Sequence, residues 1–597
     1  MPRLFLNVTA SALGQPWHDR LDEAGAAQAL AMTQQHGLPD LTARVLAGRG
    51  VGVDAVEAWL EPTLRALMPD PDTIQDMPAA VARLAGAVAR RETVGIFGDY
   101  DVDGAAAAAL LAEFLQAAGC LCLIHIPDRI FEGYGPNNEA IASLRDKGAQ
   151  LLVTVDCGTA SVEPIAHARS LGLDTLVLDH HQAPEALPAA LAIVNPNRQD
   201  DISGLGNLCA AGVVYMTLVA LRRALRRTAF WTASRPEPDL AQALDLVALA
   251  TVADVVPLRG LNRAFVTRGL AVMRSRARPG LAALLDVAGA DGPPRPWHLG
   301  FLIGPRINAG GRIGDAALGA RLLLTQDAGE AARIAAELDR LNRDRQVVEV
   351  ATVEAAEAEA LLALGLEEKG AVVVTAAEGW HPGVVGLVAS RLKDRFQRPA
   401  IAIALNGSVG TGSGRSIPGV DLGRAVRAAL DAGILVKGGG HAMAAGLTIK
   451  TARLGDLRAF LESHLAAGVA AARGVAGLAI DAALTAAGAT PDLLAGLERA
   501  GPFGAGNPEP VFAFPNHRIA NASEVGNGHL RVEARAGDGT RLNAIAFRAI
   551  GGPLGRAILQ ARGEALHLAG TLSADNWGGR ARVQLRLLDA ARPVTPA

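Results

Sequence analysis

Between Val94 and about Asn195, short apolar runs alternate with longer helix-forming stretches. The runs at 94–98, 121–126, 151–155, 175–178 and 191–194 are rich in Val, Leu and Ile and lack a helical period, which predicts strands. They are apolar on both faces, as strands buried between two helix layers must be. Helix-forming stretches at 105–118 and 161–170 follow two of them, and this alternation predicts a doubly wound parallel sheet. Residues 1 to about 75 read as helical and peripheral, interrupted by Pro62, Pro69 and Pro71. A helix is expected over 240–253. The longest helical pattern runs from 327 to about 364, without proline, with Ile334, Leu338, Leu341, Val348 and Val353 on one stripe. Such a helix would be roughly 57 Å long. It predicts a stiff arm between domains, since a mobile linker would be richer in Gly, Ser or Pro. A second α/β unit follows, with strands at 371–375 and 400–404 around a helix at 384–396. From Val511 the period changes to two. Leu530, Val532 and Ala534 face one way, and Arg531, Glu533 and Arg535 the other. Asp538-Gly539 is a hairpin turn signal, and Val583, Leu585 and Leu587 alternate with Arg582, Gln584 and Arg586. These strands predict a small barrel.

A chain of 597 residues implies two to four domains and ample core. Half the residues are hydrophobic, but no apolar run reaches the roughly 18 that a membrane span needs. The stretch from Leu4 to Leu13 is interrupted by Asn7 and Thr9, so it is not read as a signal peptide. Cys120, Cys122, Cys157 and Cys209 form no Cys-x-x-Cys pair, and Cys157 reads as a small buried residue. A reducing cytoplasm is the expectation. The net charge of −3 leaves any nucleic acid to be held by local basic surface. Arg222, Arg223, Arg226 and Arg227 form one helical stripe, read as a solvated face ahead of a DNA contact.

The chemistry gathers where the predicted strands end. Asp99, Asp101 and Asp103 follow the first, Asp156 the third, and Asp179-His180-His181 the fourth. Parallel strands present what lies at their carboxyl ends to a crevice, so five acids and two histidines would share one rim. Alone, Asp-His-His reads equally as a polar turn. Clustered carboxylates need cations or protons. Mixed carboxylate and imidazole ligands suit manganese, iron or zinc, and all-oxygen sites suit magnesium. Two ions about 3.5–4 Å apart are a standard device for cleaving phosphoesters. The loop 127–136 leaves the second strand on the same rim with Arg129 and Tyr134. An exposed Tyr either packs locally or stacks a nucleobase. Gly304-Pro-Arg306-Ile-Asn308-Ala-Gly-Gly-Arg312 reads as a glycine-rich loop able to cradle phosphate. Ser413-Gly-Arg415-Ser416 is a second candidate phosphate loop, and Gly438–Gly440 before His441 reads as a tight turn.

The ordered set Asp99-Tyr-Asp101-Val-Asp103-Gly, Asp156-Cys-Gly, Asp179-His-His and Asp254 resembles the DHH phosphoesterase superfamily. The later motifs resemble its RecJ-type members, exonucleases that degrade single-stranded DNA from the 5′ end. The likeness runs from about residue 75 to the carboxyl terminus. It implies an α/β fold: a doubly wound DHH domain joined by a long helix to a smaller α/β DHHA1 domain, followed by an OB-fold barrel. The implied boundaries are 1–75 for an N-terminal helical segment, 76–326, 327–366 for the helix, 367–470 and 471–597. The implied ligands of two Mn2+ or Mg2+ ions are Asp101, Asp103, Asp156, His180 and Asp254. Asp99 would be a further ligand or would position the attacking water, with Asp179 and His181 orienting their neighbours. Arg129, Ser413 and Arg415 would grip the 5′-terminal phosphate, and Tyr134 would stack a base. Arg306, Asn308 and Arg312 would approach the DNA backbone, and His441 would contact substrate near the metals. The implied setting is recombination and repair, as a cytoplasmic monomer with single-strand-binding protein and a helicase as partners. Two rivals remain open: a phosphoesterase of short oligonucleotides or cyclic dinucleotides, and a non-catalytic DNA-binding scaffold. The first is disfavoured by chain length and the second by the complete ligand set. Ala105–Ala107 depart from relatives that carry hydroxyl residues there.

Overall fold

The computed structural model describes residues 3–290, 292–365, 369–475, 477–526, 528–575 and 582–593. The chain forms two compact units. One comprises Pro69–Val256 and Phe265–Val475; the other comprises Met1–Met68, Pro257–Ala264 and Ala476–Ala597.

The first unit opens with a parallel sheet of β1 (Thr93–Gly98), β2 (Leu121–His125), β3 (Leu151–Val155), β4 (Asp174–Leu178) and β5 (Ala192–Val194), all at the predicted positions. Their order is β2-β1-β3-β4-β5, with every pairing parallel. In this order the chain reverses its winding between β1 and β3, and ligands of open α/β sheets bind at that point. The β1–β3 pair carries Asp99 and Asp156 just beyond its carboxyl ends.

Helix α1 (Val102–Ala117) follows β1 and α2 (Val162–Ser170) follows β3. Alanines 105–109 of α1 are at most 2% exposed, enclosed by α3 (Ala210–Arg227), α4 (Leu244–Ala253) and the helix Ala317–Leu324. A helix apolar all round must be buried on every side. Small side chains at 105–107 allow this enclosure, and full burial favours Ala over a hydroxyl residue that would need a hydrogen-bond partner. The stripe on α3 is solvated and salt-bridged: Arg223 meets Asp70 and Asp72, and Arg222 and Arg226 meet Glu237.

The segment read as a glycine-rich loop is helical. After a π-helical turn at Leu299–Ile303 comes α5 (Gly304–Ile313), whose interior amides are committed to the helix and cannot form a loop cradle. Its glycines serve packing instead. A Cβ on Gly311 would lie 2.5 Å from the Tyr100 carbonyl oxygen, so α5 can lie against the Asp99–Asp103 segment only without a side chain there.

Helix α6 (Ala328–Leu364) has 37 residues, about 56 Å. It is packed along its length, against α5 early and against α7 (Val385–Phe396) later. The companion sheet orders as β9-β10-β8-β7-β6, from β6 (Val373–Glu378), β7 (Ala400–Asn406), β8 (Val409–Arg415), β9 (Lys437–His441) and β10 (Ala444–Lys450). Only β6 and β7 pair in parallel. Ser413 and Arg415 therefore sit on a strand, and Gly438–Gly440 extend along β9, where a loop and a tight turn were expected. Ladder pairing with β10 satisfies this glycine run.

The second unit contains a closed five-stranded barrel of β11 (Phe512–Val525), β12 (His529–Arg535), β13 (Arg541–Ala546), β14 (Ala565–Asp575) and β15 (Arg582–Ala591). Pairing of β11 with β14 closes it. Leu530, Val532 and Ala534 are buried as their alternation predicted. The expectation of a separate, peripheral segment over 1–75 is corrected: most of it belongs to this unit. A strand at Trp17–Asp19 pairs in parallel with Leu478–Ile480. Trp17 is fully buried and its Nε1 donates to Asp589 Oδ2 at 3.0 Å. Arg49, also buried, pairs with Asp481 at 2.8 Å. The N-terminal helices complete the barrel's hydrophobic core.

Candidate metal centre and nucleic-acid site

Asp101 caps α1: its Oδ1 accepts from the amides of Asp103 (2.9 Å) and Gly104 (3.2 Å). Asp103, two residues on, points inward, and its carboxylate accepts from Ala210 N (2.6 Å) and Ala211 N (2.8 Å) in the first turn of α3. A helix N-terminus is a favourable place for that charge. Asp156 follows β3 at φ 61°, a left-handed conformation that side chains rarely adopt although Asp tolerates it better than most, and is 2% exposed. Such strain clusters at functional sites. Asp254 caps α4.

These groups converge. His180 Nε2 lies 3.2 Å from Asp156 Oδ1 and 3.7 Å from both Asp103 Oδ2 and Asp254 Oδ2. Asp99, Asp101 and Asp156 form a second set with oxygens within 4.8 Å of one another. All five residues expected as metal ligands are thus gathered, with Asp99 beside them. Asp179 accepts from the amides of Thr159, His180 and His181 and from His181 Nδ1 at 2.8 Å, so it fixes the His181 imidazole and the backbone that carries His180.

The electrostatics identify what the cluster lacks. Burial, then Asp101, pushes the Asp99 carboxyl well above the usual range; burial, then Asp103 and Asp101, does the same to Asp156. Burial and the same two neighbours lift Asp254 to about 9. Burial opposes the His181 imidazolium, but its hydrogen bond and charge contact with Asp179 outweigh this and raise it to about 9. Among the described residues, Asp99 Oδ1 is buried without a hydrogen-bond partner, and Asp156 Oδ1 makes no hydrogen bond beyond its close approach to His180 Nε2. Carboxylates so arranged are short of positive charge, and oxygen-rich ligands with one imidazole fit divalent manganese or magnesium.

Opposite in sign, a guanidinium cluster stands beside them. Arg129 lies over the Tyr100 ring, 4.7 Å from its centroid. Arg312, on α5, donates to Gly383 O at 3.0 Å. Burial, then Arg129, Arg345 and Arg415, pushes Arg312 down to about 9. Arg415 Nη1 donates to Ser413 Oγ (3.0 Å) and Gly414 O. The first turn of α7 abuts this pair: a Cβ on Gly386 would lie 3.1 Å from Ser413 Oγ and 3.2 Å from Arg415 Nη2. Neutral groups accept these hydrogen bonds, and among the described residues Arg129, Arg312 and Arg415 have no paired carboxylate, which leaves the cluster short of an anion. A phosphate is of the right charge and geometry for it.

Tyr134 Oη donates to Asp156 O at 3.2 Å and lies 3.1 Å from His181 Nδ1, with the residue 52% exposed. The His441 ring stacks toward His181 at 6.5 Å. Arg306 and Asn308 are placed differently from expectation. Arg306 pairs with Asp339 at 2.9 Å, and Asn308 Oδ1 accepts from Val102 N at 3.1 Å. Both brace α5.

Residues that sequence reasoning passed over hold the histidines from behind. Asn195 Nδ2 donates to Thr159 Oγ1 and His181 O, and Asn197 Nδ2 to His180 O and Gly206 O. A signal existed, since Asn195 and Asn197 follow β5 on the same rim.

Comparison with known proteins accounts for this arrangement. Residues 93–251 match the DHH family N-terminal domain, 369–467 the DHHA1 domain and 480–589 the RecJ OB domain. The single-stranded-DNA-specific exonuclease RecJ of Escherichia coli is 39% identical over 85% of this chain and 89% of that protein. The chain belongs to the RecJ family. The Bacillus subtilis RecJ is 34% identical over 94% of this chain and 69% of its own length. The crystal structure of Thermus thermophilus RecJ in complex with Mn2+ superposes with a TM-score of 0.77 at 29% identity, covering 95% of this chain and 78% of that one. The same RecJ in complex with Mg2+ gives 0.73. The RecJ fold is therefore present, with the acidic cluster at the sheet's switch point and a closed barrel near the carboxyl terminus.

Proposed function

We propose that this RecJ-family chain is a divalent-metal-dependent nuclease that removes nucleotides from the 5′ end of single-stranded DNA. The observation that carries the reading is the pair of complementary deficits in one unit. A carboxylate–imidazole cluster needs cations, and a neighbouring guanidinium cluster needs an anion. A phosphodiester strand with its metal ions supplies both.

Asp101, Asp103, Asp156, His180 and Asp254 would hold two ions, Mn2+ or Mg2+, with Asp99 beside them. Bound divalent ions lower the pKa of a coordinated water and neutralise charge developing on the phosphoryl oxygens. The chain's own groups do the rest. Arg129, Arg312, Ser413 and Arg415 hold the terminal phosphate, and this sets polarity because an internal phosphate carries a further nucleotide on its 5′ side. Tyr134 presents its ring to a base. Asp99 Oδ1, buried without a partner, accepts a hydrogen bond from the attacking water. Asp179 and the α3 amides keep His180, His181 and Asp103 in register, so the ligands need no reorganisation on binding. His441 approaches from the substrate side. Family membership also supports work in recombination and repair as a cytoplasmic monomer beside single-strand-binding protein and a helicase. Sedimentation and co-purification test those points.

The deciding experiment digests a 3′-labelled single strand with Mn2+, with and without a 5′ phosphate, beside a matched blunt duplex. Progressive shortening of the labelled strand, faster with the phosphate and absent on duplex, is expected. Cleavage only of fragments a few nucleotides long would transfer the chain to the short-oligonucleotide phosphoesterases. Tight binding without cleavage under any metal would make it a scaffold.

A further inference from the structure

The loop between β2 and the helix Asn138–Asp146 holds its tip in a way that the reading above does not use. Phe131 is 88% exposed and Ile130 45%, at the end of a segment that is internally braced. Asp128 Oδ1 accepts from Ile130 N (2.7 Å) and Phe131 N (3.0 Å), and Asp128 O accepts from Glu132 N (2.8 Å) and Gly133 N (3.1 Å). The Glu132 carboxylate closes the ring. It accepts from Asp128 N and Asn137 Nδ2 and contacts His125 Nε2 at 2.8 Å. These bonds brace the base of the loop and leave the phenyl ring out in solvent. The flanking residues fix where this tip stands. Arg129 belongs to the guanidinium cluster and Tyr134 touches Asp156 and His181. Two residues of chain reach at most about 7 Å, about two base steps of a stacked strand at about 3.4 Å each.

We infer that Phe131 is a stacking platform for a nucleobase of the bound single strand, downstream of the terminal nucleotide. The inference rests on the nuclease reading and adds a specificity element to the same site. An apolar ring offers no hydrogen bond to base edges, so the platform is indifferent to sequence. A base already stacked and paired in a duplex has no free face to give it, so the platform favours unpaired DNA. Pre-organisation by the Asp128–Glu132 ring lowers the entropy lost when the base docks.

The test compares Phe131→Ala and Phe131→Trp in the full chain with Mn2+, on a long 5′-phosphorylated single strand and on a 5′-phosphorylated dinucleotide. Phe131→Ala is expected to raise KM for the long strand about tenfold, the size of one lost base stack, with kcat held. Phe131→Trp is expected to restore KM. The penalty is expected to be smaller on the dinucleotide. An unchanged KM for Phe131→Ala on the long strand overturns the platform and leaves the nuclease reading standing. An equal penalty on both substrates overturns it as well, because that is the signature of a collapsed loop. A wild-type chain that digests no nucleic acid overturns both readings.

Discussion

Single residues at the rim have separable duties. Asp156 is shared by both halves of the acidic cluster and is buried, with Oδ1 making no hydrogen bond beyond its approach to His180 Nε2. Asp156→Asn removes the charge and keeps the shape. Metal-dependent cleavage is expected to fall at least about a hundredfold while the fold survives, measured by single-turnover assay beside circular dichroism. Full activity in this variant would sink the assignment of Asp156 as a ligand. Asp179 acts through its neighbours. Asp179→Asn keeps the size but removes the charge that anchors the His180 and His181 amides and His181 Nδ1, and so loosens the segment that carries the ligand His180; metal affinity is expected to drop about 10–100-fold, read by titration with Mn2+. Arg415 belongs to the guanidinium cluster proposed to hold the terminal phosphate. Arg415→Ala should erase the preference for a 5′ phosphate while strands lacking one are still digested.

At the scale of elements, α6 does more than connect. Arg345, Glu349 and Asn342 form a buried network on it, and Glu349 also meets Arg391 of α7 at 3.0 Å. Removing one partner of a buried ion pair leaves an uncompensated charge. Glu349→Ala is therefore expected to cost about 3 kcal/mol, read as a shift in denaturation midpoint. It should also loosen the proposed terminal-phosphate site, because Arg345 neighbours Arg312. The contact of α5 with the Asp99–Asp103 segment depends on Gly311 in the same way. A methyl group there must push the two elements apart.

For the molecule as a whole, the excess of buried acid makes stability depend on pH and metal together. Asp254 and His181 both have folded-state values near 9, above their ordinary ones, and Asp99 and Asp156 are raised in the same sense. Between the ordinary and the raised values the folded chain binds more protons than the unfolded one, so stability falls as pH rises. Without metal, Tm is expected to decline from about pH 5 to about pH 9, as Asp254 leaves its ordinary range and His181 passes about 6.5. Saturating Mn2+ replaces those protons and should flatten the slope, and chelation should restore it. A slope that ignores Mn2+ would mean that the ions bind elsewhere. Among the described residues no helix is long and apolar enough to cross a membrane.

The sequence alone determined the strands, the long helix and the acidic residues at the strand ends. Local periodicity and turn chemistry report directly on those features, and the ordered acids and histidines carry the family likeness. It did not determine which backbone the glycines would take. Gly304–Arg312 and Gly438–Gly440 carry loop signals, but packing against Tyr100 and pairing with β10 made them helix and strand. The fate of the arginines was also a tertiary matter. Arg306 is neutralised by Asp339 while Arg312 and Arg415 are crowded together, a difference set by which elements meet rather than by neighbouring residues. The N-terminal segment likewise looks peripheral until Trp17 and Arg49 find Asp589 and Asp481, more than four hundred residues away. Contacts that distant leave no periodic trace in the chain, and only the folded structure brings them together.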